Sequence, residues 1–113
     1  MAVVKTTTAT VTTTGTSAVS IWNVASSRIA VWAKIFKTRT GINAHTEAFF
    51  IQGSHFTNFE STEVTTSDLL SPAGTGTVAF VTNVSDNIEL QVTSTSSDST
   101  DWIAEISYFD ENS

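Results

Sequence analysis

The sequence contains no cysteine, which removes disulfide staples, thiol nucleophiles and cysteine-bound zinc together and leaves the redox compartment open. Its one proline, Pro72, stands in Ser71-Pro72-Ala73-Gly74-Thr75-Gly76, where proline and two glycines forbid a regular central strand. Charge is scarce at 14% of residues, and the formal net charge is −6. A chain of that sign has no global attraction to phosphate backbones, so nucleic acid is not expected as its main partner. No apolar run approaches the roughly 20 residues of a membrane helix, and no membrane partner is expected. The start, Met1-Ala2-Val3-Val4-Lys5-Thr6, lacks the charged and apolar blocks of a signal peptide. The expected site of action is the cytoplasm, or something assembled there.

What is present is a chain of 113 residues, an ordinary size for one domain with one core. A chain of this length buries roughly two thirds of the surface its unfolded form exposes, enough to fold without covalent staples. Serine and threonine make up nearly a third of the residues, and β-branched threonine suits a pleated surface. Charge is placed unevenly. The basic residues Lys5, Arg28, Lys34, Lys37 and Arg39 all precede position 40, and every acid, from Glu47 to Glu111, follows it. Two solvated faces account for this pattern; so do complementary edges that meet between neighbouring subunits.

Periodicity points to strands throughout. Residues 1–20 form a threonine-rich stretch with scattered valines, too few to offset an ordering cost of about 1–2 kcal/mol per residue. It reads as an extended N-terminal arm (1–20) ahead of a β-sandwich domain (21–113), contributing little to the fold and either staying mobile or lying along a sheet edge or another chain. In Arg28–Lys37, Ile29, Val31 and Ile35 share one strand face and Trp32, Lys34 and Phe36 the other. Large apolar groups on both faces predict a strand covered on two sides, by its own core and by a partner or the arm. After a turn at Gly41-Ile42-Asn43, the short run Ala48–Gln52 reads as a core strand ended by Gly53. Residues 54–76 read as a longer connection with one or two short strands. Thr77–Thr82 and Asn87–Thr93 flank a polar turn and form a hairpin signature, with Ile88, Leu90 and Val92 inward. The last strand, Trp102–Phe109, places Trp102, Ala104, Ile106 and Tyr108 on the core face, Trp102 being the core anchor. Seven or eight short strands and no amphipathic helix predict an all-β, antiparallel sandwich or jelly-roll-like single domain.

The search for chemistry is largely negative, and no cofactor, metal or enzymatic activity is expected. His45 and His55 lack close ligand spacing. There is no G-x-S-x-G elbow, phosphate-cradling glycine loop or H-E-x-x-H. Glu60 and Glu63 fit a solvated loop better than a glycosidase acid pair. Asp98-Ser99-Thr100-Asp101 lacks the glycine turn and bidentate glutamate of a calcium loop and reads as a turn. Asn83-Val84-Ser85 matches the glycosylation triplet and reads as the hairpin turn.

The strand Asn87–Thr93, ending in Gln91-Val92-Thr93, is followed by a polar loop and then by Trp102-Ile103-Ala104-Glu105-Ile106. With the upstream basic strand Ala33–Gly41 and the aromatic strand Ala48–Ile51, this order resembles virion proteins of tailed bacteriophages over about residues 28–109. Ser94 stands where glycine commonly follows the Q-V-T, so the local turn is expected to differ. The resemblance implies a small β-sandwich module that trimerises, found in capsid decoration (cement) proteins and in tail fibres or tail tips. With no heptads, collagen-like repeat or second module to form a shaft, decoration comes first and a tail-fibre or receptor-binding part second. The expected location is the virion, on the capsid surface, assembled in the host cytoplasm. The expected partners are the major capsid protein and copies of the chain in a homotrimer, with Arg28, Trp32, Lys34, Phe36, Lys37 and Arg39 as contacts. A carbohydrate-binding module, with Trp22, Trp32 or Phe59 stacking on sugars, is the third reading.

Overall fold

The computed structural model describes residues 3–25, 28–41, 44–56, 65–68, 76–82 and 87–110. These form β1 (Val4–Thr13), β2 (Val19–Val24), β3 (Arg28–Arg39), β4 (His45–Phe56), β5 (Thr65–Asp68), β6 (Gly76–Thr82), β7 (Ile88–Ser94) and β8 (Thr100–Asp110). A five-stranded sheet in the order β1-β8-β3-β4-β5 packs against a three-stranded sheet in the order β2-β7-β6, every pairing antiparallel. This is the expected sandwich, with its core between the sheets.

Strict alternation builds that core. On β3 the odd positions Ile29, Val31, Ala33 and Ile35 point inward, beside Phe49 and Ile51 of β4 and Trp102, Ala104 and Ile106 of β8. Val78 and Phe80 of β6 and Ile88, Leu90 and Val92 of β7 meet them from the facing sheet. The β6–β7 hairpin and the inward faces of β7 and β8 are as expected, with Tyr108 half-buried against Trp22 at 5.4 Å between ring centroids. On β2 the register shifts between Ser20 and Trp22, and the bulge leaves Ile21 and Trp22 both half-buried.

One end of the core is polar. Lys37 Nζ lies 2.7 Å from Glu47 Oε1, both side chains fully buried, with the ammonium 5.6 Å from the Trp102 ring centroid and 5.9 Å from that of Phe49. Trp102 Nε1 donates to the buried Thr13 Oγ1 at 3.0 Å. Gly76 closes in beside them at φ +147°, where a Cβ would meet the Thr93 carbonyl oxygen at 2.7 Å. Ser94 closes its own turn, donating to the Ser96 carbonyl and accepting the Ser96 N–H.

Several expectations need correction. Residues 4–13 are not an arm apart from the fold but the edge strand β1, paired with β8 over ten consecutive positions. Pairing supplies the backbone hydrogen bonds that its few apolar groups could not replace, and Ala9 and Val11 pack on the core. The division at residue 20 falls inside β2. Gly53 does not end β4, because β3 runs beside it from Arg28↔Phe56 to Arg39↔His45. Within 54–76, the end of β4 (54–56), β5 and the first residue of β6 are described; Phe59, Glu60, Glu63 and 71–75 lie outside the described residues, as do the Ile42-Asn43 turn, Asn83-Val84-Ser85 and the side chains of His45 and His55.

Candidate interaction surface

The inward alternation of the five-stranded sheet fixes what its other face presents. Even positions of β1, β3 and β4 and odd positions of β8 point away from the core. The register then sets rows across β1, β8, β3 and β4: Val4, Phe109, Ala30 and Ser54; Thr6, Ser107, Trp32 and Gln52; Thr8, Glu105, Lys34 and Phe50; Thr10, Ile103, Phe36 and Ala48. Of the six large apolar residues exposed among the described residues, Val4 (58%), Trp32 (43%), Phe36 (42%), Ile103 (48%) and Phe109 (41%) lie on this face; the sixth, Val3, precedes β1. Scattered apolar residues on a surface are ordinary; their gathering on one side of one sheet makes that face a candidate interaction surface.

Electrostatically the face is nearly balanced. Lys34 and Glu105 are direct cross-strand neighbours at its centre, the arrangement in which opposite charges attract. Asp101, at the next row but one, accepts a 2.7 Å hydrogen bond from Thr12 Oγ1. A shallow recess of about 250 Å³ beside Trp32 is lined by Ala30, Val31, Gln52, Gly53 and Ser54.

Of the contact residues expected from sequence, Trp32, Lys34 and Phe36 are brought together here. Lys37 is not a surface contact: an odd position of β3, it points into the core and is spent on Glu47, its direct cross-strand neighbour. Arg39 is half-buried at the end of the sheet, 3.6 Å from Asp98. Arg28 opens β3, and its side chain lies outside what is described. The uneven charge along the chain is therefore largely matched inside one subunit, because the basic strand β3 is flanked by β4 and β8, which carry acids. Sequence reading missed Val4, Ile103 and Phe109. The signal was available for β8, whose positions opposite to Trp102, Ala104 and Ile106 also carry large apolar groups.

The second feature is the edge. β1 ends the five-stranded sheet, and among the described residues nothing pairs with its outer side. It is long, unbulged and free of proline, glycine and acids, with Lys5 its only charge. Such an edge is a template for another strand. By comparison β2 carries a bulge. Among the described residues no group of three or more His, Cys, Asp or Glu side chains is placed to hold a metal ion. No protein-family model matches the sequence, and no curated protein matches it either.

Proposed function

We propose that this protein is a structural component of a tailed-bacteriophage virion, a decoration (cement) protein that sits on the capsid and joins its subunits by surface contact. The observation that carries the reading is the ten-residue edge of β1, whose outer side pairs with no strand among the described residues. An extended segment of the major capsid protein added there gains backbone hydrogen bonds along its length, with alternate side chains setting specificity. The segment that sequence reading assigned to attachment thus keeps that role as a strand within the fold. The order of the Q-V-T strand, polar loop and tryptophan strand, β7 and β8 here, supports the same reading.

Rebinding to particles stripped of the protein is the test. Proline is placed at Thr7 in one variant and Thr8 in another, since successive strand residues aim their N–H groups to opposite sides. One substitution breaks the β1–β8 ladder and lowers the melting temperature. The other leaves the fold intact and should abolish decoration. Full decoration by the stably folded variant would exclude the β1 edge as the attachment site. A second reading, a carbohydrate-binding module, is favoured by the recess beside exposed Trp32, where an aromatic face adjoins Gln52 and Ser54. Glycan-array binding that is lost in Trp32→Ala would support it.

A further inference from the structure

We infer that the outer face of the five-stranded sheet is covered by the same face of a second copy of the chain, related by a two-fold axis that runs between the two sheets, parallel to β3 and β8 and midway between them. The face is self-complementary about that axis. A rotation of this kind keeps a residue's height along the strand and exchanges β3 with β8, so each residue meets its own register partner in the other copy. Lys34 then faces Glu105 of the second copy, and Phe36 faces its Ile103.

The central charges thereby form a rectangle in which each ammonium has a carboxylate beside it in its own sheet and another across the interface. Among the described side chains of β1, β3, β4 and β8, the outward charges are Lys34, Glu105 and Asp101, and Asp101 would lie over Thr38 of the second copy. A partner of one dominant charge finds no matching field here, whereas an identical face does. Size agrees as well. Four strands at a spacing of about 4.8 Å, over nine residues rising about 3.3 Å each, give a flat footprint of roughly 570 Å². Side-chain relief brings this toward the roughly 800 Å² per partner of stable interfaces. Two twisted sheets stack in this manner about 10 Å apart in ordinary sandwiches. The pairing leaves the outer edge of β1 open, and it stands whether or not the virion reading does.

The test is the solution mass by sedimentation equilibrium of the full chain at micromolar concentrations, with Lys34→Glu and Glu105→Lys alone and mixed. The wild type is expected at twice the 12.1 kDa chain mass. Each variant puts like charges in contact and should dissociate about tenfold more readily or worse. An equimolar mixture should recover the wild-type mass, because a chain of one variant then meets a chain of the other with opposite charges at both central contacts. A role of this pair confined to one subunit would give no such recovery. Phe36→Ser, which adds no charge, should also weaken the pair while leaving the melting temperature of the monomer nearly unchanged. A wild type at the single-chain mass, a mass three times that of the chain, or a mixture that stays monomeric would overturn the proposal.

Discussion

Removing either member of the buried Lys37–Glu47 pair should be among the most damaging single changes in this domain. Both side chains are fully buried and 2.7 Å apart. Taking one away leaves the other charge in a low-dielectric site, a loss of about 3–5 kcal/mol. At about 0.05–0.15 kcal/mol per residue, the 113-residue chain has roughly 6–17 kcal/mol in all. With a urea slope of about 1.5 kcal/mol per molar, the midpoint should fall by about 2–3 M. Lys37→Met should cost more than Glu47→Gln. In the second variant the ammonium keeps the Trp102 and Phe49 rings at 5.6 and 5.9 Å, an attraction that the first variant removes together with the ion pair. The double replacement Lys37→Met/Glu47→Leu should return to wild-type stability or exceed it, by up to about 4 kcal/mol, since no charge then remains to be dehydrated. Urea unfolding of the four proteins closes the cycle. If both single variants lose less than about 1 kcal/mol, the pair is hydrated and the inward placement of Lys37 is wrong.

Trp102→Ala should cost about 3–5 kcal/mol through the cavity it opens, and Thr13→Val about 1–3 kcal/mol by leaving the indole N–H without its acceptor, both read from denaturant titration. Gly76→Ala should destabilise by about 1–3 kcal/mol or more, since its φ of +147° disfavours a side chain and the Thr93 carbonyl cannot yield; a neutral result would contradict the close approach. Deleting residues 1–13 removes β1 and uncovers β8 and Trp102, so the remainder should lose its cooperative melting transition; an unchanged transition would restore the picture of a dispensable arm.

The alternation in β3, β7 and β8 was legible because period two with a single register suffices to assign faces once a strand is recognised. It gave the core and three residues of the outer face. Counting Lys37 among the surface contacts failed, because charge suggested the surface where alternation demanded the core. Alternation is the stronger constraint, because turning one residue out of register turns out its neighbours too. Residues 4–13 were misjudged for a different reason. Apolar content measures what a strand buries through side chains, and β1 is held mainly by its ladder with β8, a partner about a hundred positions away that local pattern cannot reveal. The Lys37–Glu47, Lys34–Glu105 and Arg39–Asp98 juxtapositions likewise depend on strand order, β8 and β4 flanking β3, which no property of β3 alone specifies.

The proposed virion role is tested most directly by looking for the protein on purified tailed-phage particles from its source, using electron microscopy with antibody labelling and image reconstruction. The expected result is density of the sandwich at regular lattice positions on the outer capsid surface, with β1 against a strand of the major capsid protein. Labelling confined to the tail would place the chain in a fibre or tip. Its absence from purified particles would contradict a structural role in the virion.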